Sequence, residues 1–326
     1  MIYFILNSSW IRYQTGSPCY NFIHDKDVLE ADGSCEIFVI SDAKDYLEVQ
    51  KKIEENKPKA IVCEETTYKN FTSFTGIRLL LLNDIHCFCS ENEGIYAGVH
   101  SLQAALDWST ASLTGYMFSL KKPQQYFYPK DPSKYVYFPH HVSCLPIPIN
   151  DFDSRAEELL VVGALSDLVY PMRTYASTLP FAHRPASPTS REEFIPTISK
   201  YKRAFTCNSW LGYTVAKYFE IPKAGTVLIG TDMDTEYERE LLGFKNGDNC
   251  VLVKSNEDLL HLPEATKGMA ERGYELIMAR HTTKNRLFQL KTLVDMFENG
   301  ACVQECVASA YLKSFATHAV PEMDET

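Results

Sequence analysis

The sequence predicts an α/β protein built from two doubly wound domains, and three observations carry that expectation. At 326 residues the chain exceeds one ordinary core and suits two domains of ~150 residues each. Short continuous apolar runs alternate with helical segments, as parallel strands covered on both faces require. The alternation breaks at 121–150 and resumes near Leu159. The expected division is therefore 1–150, including a linker, and 151–326.

Taken in order, Ile2-Tyr3-Phe4-Ile5-Leu6 reads as the first buried strand and Cys35-Glu36-Ile37-Phe38-Val39-Ile40 as the second. Ser41-Asp42 caps a helix over 43–55, with Tyr46, Val49, Gln50 and Ile53 on one face. Lys57-Pro58 ends it. The third strand is 59–63, closing with Glu64-Glu65, and the fourth is Ile77 to Leu82. A strand–helix unit is expected over 96–120, with Val99 to Leu106 first and Ala111 to Phe118 second. Residues 121–150 hold prolines at 123, 129, 132, 139, 146 and 148 among aromatics, which reads as an interdomain crossing too aromatic to be a solvated tether.

The second half opens with the acidic stretch 151–158 and a strand at 159–163. Then come a helix near 170–178, a loop at 180–195, a strand near 203–207, a helix at 213–223 and strands at 226–230 and 251–253. Helices follow at about 256–261, 264–279 and 283–298. The segment 299–315 is expected to be helical and to pack back on the first domain, and the acidic end 322–326 to fray.

Composition narrows the function classes. An apolar fraction of 45% and a charged fraction of 23% are ordinary for a folded soluble protein. A net charge of −10 argues against a nucleic-acid binder. No apolar run approaches the ~20 residues of a membrane span, and residues 1–6 lack the marks of a leader. Ten scattered cysteines, mostly in apolar segments, fit free thiols in a reducing, cytoplasmic setting. The cluster His86-Cys87-Cys89 lacks a second ligand pair, so no metal is expected. Asp151-Phe152-Asp153 and Asp232-Met233-Asp234 mimic an Asp-x-Asp metal motif, but both read as solvated loops.

The chemistry-bearing stretch is Lys217-Tyr218-Phe219-Glu220-Ile221-Pro222-Lys223-Ala224-Gly225-Thr226-Val227-Leu228-Ile229-Gly230, a helix end, a glycine turn and a buried strand. Glu220 there can accept two hydrogen bonds from a vicinal diol such as a ribose. The plain alternative is a surface glutamate.

Three segments in order carry a resemblance. They are Val162-Gly163-Ala164 with Tyr170-Pro171-Met172-Arg173, then Lys217 to Gly230, then Gly273-Tyr274 to Arg280-His281-Thr282-Thr283-Lys284-Asn285-Arg286. Over about 159–290 the chain resembles group 1 glycosyltransferases of the GT-B fold, two Rossmann-like domains facing a cleft. It is most similar to the spore-maturation-protein-like branch. The resemblance implies transfer of a sugar from a nucleoside-diphosphate sugar to a glycan, protein or small-molecule acceptor, without a metal or other cofactor. It places the nucleotide in the C-terminal domain with Glu220 on the ribose and Gly163 in the donor site. For the diphosphate it leaves Arg173, Lys217 and the amide groups near Gly212-Tyr213-Thr214, where a helix is expected to begin. Many relatives carry a second glutamate at the position of Gly212, so its contact to the donor sugar is missing here or supplied elsewhere.

In the first domain, Asp84 and His86 follow an apolar strand and are expected at its carboxyl end, as catalytic or sugar-contacting groups. Glu64 and Glu65 rank below them as acid/base candidates. Ser8 and Ser9, in the loop to Gly16, are expected to wall the acceptor site. His140, beside His141, is expected along the cleft or in aromatic packing. Two rivals stay open: a catalytically silent binder of nucleotide or glycan, and a nucleotide-sugar epimerase on the same fold.

Overall fold

The computed structural model describes residues 1–8, 18–64, 67–82, 99–115, 134–185, 191–209, 212, 214–233 and 235–306. It divides into two units, each with a parallel sheet of its own. Unit 1 comprises Met1–Pro139 and the chain from Thr283 onward, and unit 2 is His140–Thr282.

Unit 1 contains β1 (Ile2–Asn7), α1 (Pro18–His24), α2 (Lys26–Glu30), β2 (Cys35–Ile40), α3 (Ala43–Asn56), β3 (Ala60–Glu64), β4 (Ile77–Leu82), α4 (Val99–Trp108), β5 (Ala111–Thr114) and β6 (Tyr135–Tyr137). All strands are parallel, in the order β2-β1-β3-β4-β5-β6. Residues 2–6 and all of β3 are buried, which is why they read as unbroken apolar runs, whereas edge strand β2 mixes buried and half-buried positions. Helix α3 starts at Asp42, whose side chain accepts from the Lys44 and Asp45 amides at 2.8 and 3.2 Å while the Asp45 carboxylate returns the bond.

Unit 2 contains β7 (Ala156–Val161), α5 (Pro171–Ala176), β8 (Ala182–His183), α6 (Arg191–Ile198), β9 (Tyr201–Thr206), α7 (Lys217–Lys223), β10 (Val227–Thr231), α8 (Glu236–Leu242), β11 (Val251–Val253) and α9 (Lys267–Arg280). Its strands are also parallel, in the order β11-β10-β9-β7-β8. Counted from the first strand of each unit, both sheets share the order 2-1-3-4-5. That order reverses beside the first strand, between β1 and β3 and between β7 and β9, and ligands of such sheets settle outside the strand carboxyl ends there. Helices α10 (Thr283–Glu298) and α11 (Val303–Cys306) complete unit 1, where Leu287, Leu290, Leu293, Val294 and Cys306 join its core.

Several expectations need correction. The units divide at Pro139/His140 and Thr282/Thr283 instead of at 150/151, because Tyr135–Tyr137 pairs with β5 and α10 packs into the first core. The return to unit 1 therefore starts at 283, ahead of 299–315, of which residues past 306 lie outside the described residues, as does 322–326. Over 99–115 the helix precedes the strand: Leu102 and Leu106 are spaced for a helix, Ala111 and Leu113 for a strand. The loop at 180–195 holds β8 and the start of α6. Helix α7 begins at Lys217, not 213, and Gly212 ahead of it takes a left-handed φ of 76°. Helix α8 was not anticipated. Among the described residues no helix is long and apolar enough to cross a membrane, and eight cysteines are unbridged.

Candidate functional site

The carboxyl edge of the unit 2 sheet holds two of the sequence-selected residues, Gly163 and Arg173. Just after strand β7 comes Gly163, with φ of 103°, and a Cβ there would sit 2.7 Å from Arg173 Nη1. Only glycine lets the Arg173 side chain lie against this turn. Arg173, on α5 and 2% exposed, donates from Nη1 to Ala164 O at 2.8 Å. Its Nη2 donates to Thr206 Oγ1 at 2.9 Å and Cys207 O at 3.1 Å, while the guanidinium stacks 4.0 Å from the Tyr170 ring centroid. Arg173 thus joins the carboxyl ends of β7 and β9 at the point where the strand order reverses. Burial lowers its pKa from the usual guanidinium value, and its positive charge in turn opposes the burial that raises the Cys207 thiol. Its Nε is buried without a hydrogen-bond partner.

Immediately after β9, the Asn208 amide donates to Thr231 Oγ1 at 2.9 Å and its Nδ2 to Asp232 O at 3.2 Å, tying β9 to β10. Asn208 Oδ1 and the hydroxyl of buried Ser209 have no hydrogen-bond partner. Buried oxygens in that state are uncommon and call for an explanation. Sequence reasoning missed both residues; the one available signal was their place directly after a buried strand.

Helix α7 packs its signature stretch inward. Tyr218 is fully buried, donates to Thr231 O at 2.7 Å, and lies so close to Gly230 that a Cβ there would meet its ring at 2.8 Å. Phe219 meets the His281 ring at 4.9 Å, and His281 Nε2 pairs with Leu242 O at 2.9 Å. Much of the Tyr-Phe-Glu-Ile-Pro box is therefore packing. Glu220 is fully buried, with Oε2 2.6 Å from Lys217 Nζ, and that ammonium lies 4.5 Å from the Phe194 ring centroid of α6. Glu220 is thus no surface residue, and a ribose reaches it only by displacing neighbours that include the Lys217 ammonium. Lys223, also missed, is buried and donates to Ser143 O and, at 3.0 Å, to Leu145 O.

Other predicted roles change. Thr214 spends its hydroxyl on Glu238 Oε1 at 3.1 Å, both residues being buried. Gly212 donates to Ser209 O at 2.8 Å in a turn ahead of the helix. With the helix starting at Lys217, Gly212 and Thr214 offer no helix-start N–H groups to a phosphate. Of the two decoys, Asp232 is ion-paired with Arg239 at 3.0 Å, and Phe152 between Asp151 and Asp153 is buried. Among the described residues no group of acidic, histidine or cysteine side chains has the arrangement of a metal site.

Unit 1 has the corresponding place between β1 and β3, with the opposite charge. Glu64, at the end of β3, is fully buried and accepts from the Asn7 amide at 2.8 Å and the Cys19 thiol at 3.5 Å. Ser8 follows β1, its amide bonded to Ile40 O at 2.8 Å. His140 and His141 are both buried at the start of unit 2. Ser9, Glu65, Asp84, His86 and Tyr213 lie outside the described residues.

No protein-family model matches the sequence, and no curated protein matches it. Solved structures do match over nearly the whole chain. HepE from Anabaena, solved with UDP and glucose, is 11% identical with a TM-score of 0.53, covering 90% of this chain and 99% of its own. A glycosyltransferase from Rickettsia africae is 10% identical with a TM-score of 0.53, covering 92% and 99%. A protein assigned as a UDP-N-acetylglucosamine 2-epimerase, from Listeria monocytogenes, is 9% identical with a TM-score of 0.50, covering 92% and 97%. At such identities the likeness speaks for fold alone: two parallel-sheet α/β domains of the kind these GT-B proteins share.

Proposed function

We propose that this chain is a glycosyltransferase that moves a sugar from a nucleoside-diphosphate sugar to an acceptor hydroxyl, with unit 2 holding the nucleotide. The observation that carries this reading is the charge contrast between two sheets that share the strand order 2-1-3-4-5. The reversal point of unit 1 is occupied by the Glu64 carboxylate and that of unit 2 by the Arg173 guanidinium. A diphosphate is repelled by the first and attracted by the second. The partnerless Asn208 Oδ1 and Ser209 Oγ at the same edge of unit 2 support a polar ligand there. HepE, of similar fold, was solved with UDP, which favours a nucleotide sugar as donor.

In this reading Glu220 accepts the ribose hydroxyls. Arg173 holds the strand ends in place and biases the local field toward the diphosphate, while Lys217 meets a phosphate oxygen directly. The anomeric carbon–oxygen bond breaks and its electrons leave with the nucleoside diphosphate, while the acceptor hydroxyl bonds through its oxygen to the anomeric carbon and gives up its proton to the departing phosphate oxygen. Negative charge grows on the departing diphosphate, so fixed cations beside it stabilise the transition state more than the ground state. The reading includes a metal-independent, retaining reaction, with unit 1 binding the acceptor and Asp84 and His86 as its catalytic candidates.

Gly212, where many relatives carry a carboxylate, favours one rival, a binder without turnover. Incubation with UDP-, GDP- and ADP-sugars, with and without acceptors, separates the readings by product. Transfer or donor hydrolysis, lost in Glu220→Ala, supports the proposal. A changed sugar without acceptor indicates epimerisation, and binding without any product indicates the silent form.

A further inference from the structure

Asn208 and Ser209, just past β9, carry side-chain oxygens, Oδ1 and Oγ, that are buried without a hydrogen bond. The orientation of the Asn208 carboxamide is set by its partner. Asp232 O can only accept, so Nδ2 faces it at 3.2 Å and Oδ1 faces away. The backbone of both residues is fastened as well. The Asn208 amide donates to Thr231 Oγ1 at 2.9 Å, and Ser209 O accepts from the Gly212 amide at 2.8 Å. Thr231 is held in turn by Tyr218, whose hydroxyl donates to Thr231 O at 2.7 Å and pairs with Thr231 Oγ1 at 2.9 Å. Two acceptor oxygens are thus presented by consecutive anchored residues, and Ser209 is only 4% exposed.

Their chemistry limits what can satisfy them. Oδ1 accepts and never donates, so it calls for an O–H or N–H. An ionised diphosphate offers acceptors only and is no partner for it. In a nucleotide sugar the donors are base N–H groups, ribose hydroxyls and hydroxyls of the transferred sugar. Asn208 follows Cys207, whose carbonyl accepts from Arg173 Nη2 at 3.1 Å, which puts it beside the fixed cation that draws the diphosphate. The ribose is assigned to Glu220 and the base lies beyond the ribose. The transferred sugar, bonded to the diphosphate itself, is the donor-bearing part that remains. We infer that Asn208 Oδ1 and Ser209 Oγ accept hydroxyls of the transferred sugar and select which sugar the chain takes. The inference rests on the reading of unit 2 as the nucleotide-sugar site and names the residues that read the sugar. Both oxygens are covered, so the sugar engages them by displacing the atoms over them, and each then gains the hydrogen bond that the fold does not give it.

Calorimetric titration of the full chain tests it, with UDP, GDP and ADP, their glucose, galactose, mannose and N-acetylglucosamine conjugates, and monodeoxy analogues of the conjugate that binds tightest. Loss of one sugar hydroxyl should weaken wild-type binding about tenfold. In Asn208→Ala and in Ser209→Ala the intact conjugate should lose about tenfold, and one deoxy analogue should bind no worse than its parent. The bare diphosphate should keep its affinity within about twofold. Thermal melts without ligand give a second readout. Ser209→Ala removes a buried hydroxyl that makes no bond in the fold, so the midpoint should stay level or rise; a lowered midpoint overturns its assignment to the sugar. Should Asn208→Ala fail to fold through loss of its bond to Asp232 O, Ser209→Ala and the deoxy series on the wild type carry the test. Equal binding of intact and deoxy conjugates by the wild type overturns the inference, as does a bare diphosphate weakened as much as its conjugate in the variants; both leave the nucleotide site standing. Absence of binding by every diphosphate and conjugate overturns the nucleotide reading, and this inference with it.

Discussion

Arg173 Nη2 donates to Thr206 Oγ1 at 2.9 Å, and through that bond a side chain of α5 fastens the carboxyl end of β9 to the loop leaving β7. The residue best placed by sequence to grip a phosphate is thus engaged by the sheet itself. Its contribution to a ligand is that of a fixed charge and of a frame for neighbouring groups.

Arg173→Met should therefore destabilise unit 2 whether or not nucleotide is added. Three hydrogen bonds from a charged donor disappear, two of them to buried acceptors, a loss of about 2–4 kcal/mol in denaturant unfolding. Arg173→Lys should recover little, since one ammonium does not span both strand ends. Unchanged stability with lost nucleotide binding contradicts this and makes Arg173 a direct phosphate ligand.

Gly230 and Tyr218 should behave as a coupled pair. A Cβ at 230 would sit 2.8 Å from the Tyr218 ring, so Gly230→Ala should cost about 1–3 kcal/mol through overpacking. In the background of Tyr218→Leu, which frees that space, the same change should cost distinctly less. Additive losses in a double-mutant cycle argue against the contact.

The first 139 residues should not fold alone. Their core lacks Leu287, Leu290, Leu293 and Val294 of α10, and Leu290→Ala in the full chain should already cost about 2–5 kcal/mol. A fragment of residues 1–139 should show dispersed amide resonances only when residues 283–306 are supplied. A native-like spectrum from the fragment by itself contradicts the division of the units.

Asp32 provides a test by pH. Its hydrogen bond from Lys291 of α10, aided by Ser34, holds its carboxyl well below the usual carboxylate range. A depressed folded pKa adds stability that is present above the unfolded value and is lost as acid is added through the folded one. Asp32 is 59% exposed, so screening keeps the effect on global stability small. The carboxyl carbon shift followed by NMR should show the low midpoint, and Lys291→Met should raise it toward the ordinary value.

The fold was legible at several of its strands. Cys35–Ile40, Ile77–Leu82 and Val251–Val253 are strands at the bounds expected from the sequence, because apolar runs flanked by polar or turn residues leave little choice. The helix 283–298 was equally plain, but its membership of unit 1 was not, since an apolar face does not name its partner. The three-residue strand Tyr135–Tyr137 is too short for any periodicity, and its proline-rich surroundings suggested a linker. At the site, Arg173, Lys217 and Glu220 were legible as residue types. Their partners were not, because Ala164, Thr206 and Cys207 reach Arg173 only through tertiary packing. Lys217 and Glu220, three residues apart, could have been paired by helical spacing once the helix start was correct. Asn208 and Ser209 carry no motif, and only their unmet hydrogen bonds mark them.

The most direct measurement is a crystal structure of the chain with a bound nucleoside diphosphate. The account predicts the ribose hydroxyls on the Glu220 carboxylate, the diphosphate at the carboxyl ends of β7 and β9, and the Lys217 ammonium moved from Glu220 to a phosphate oxygen. A nucleotide seated elsewhere, with Lys217 still on Glu220, would contradict it.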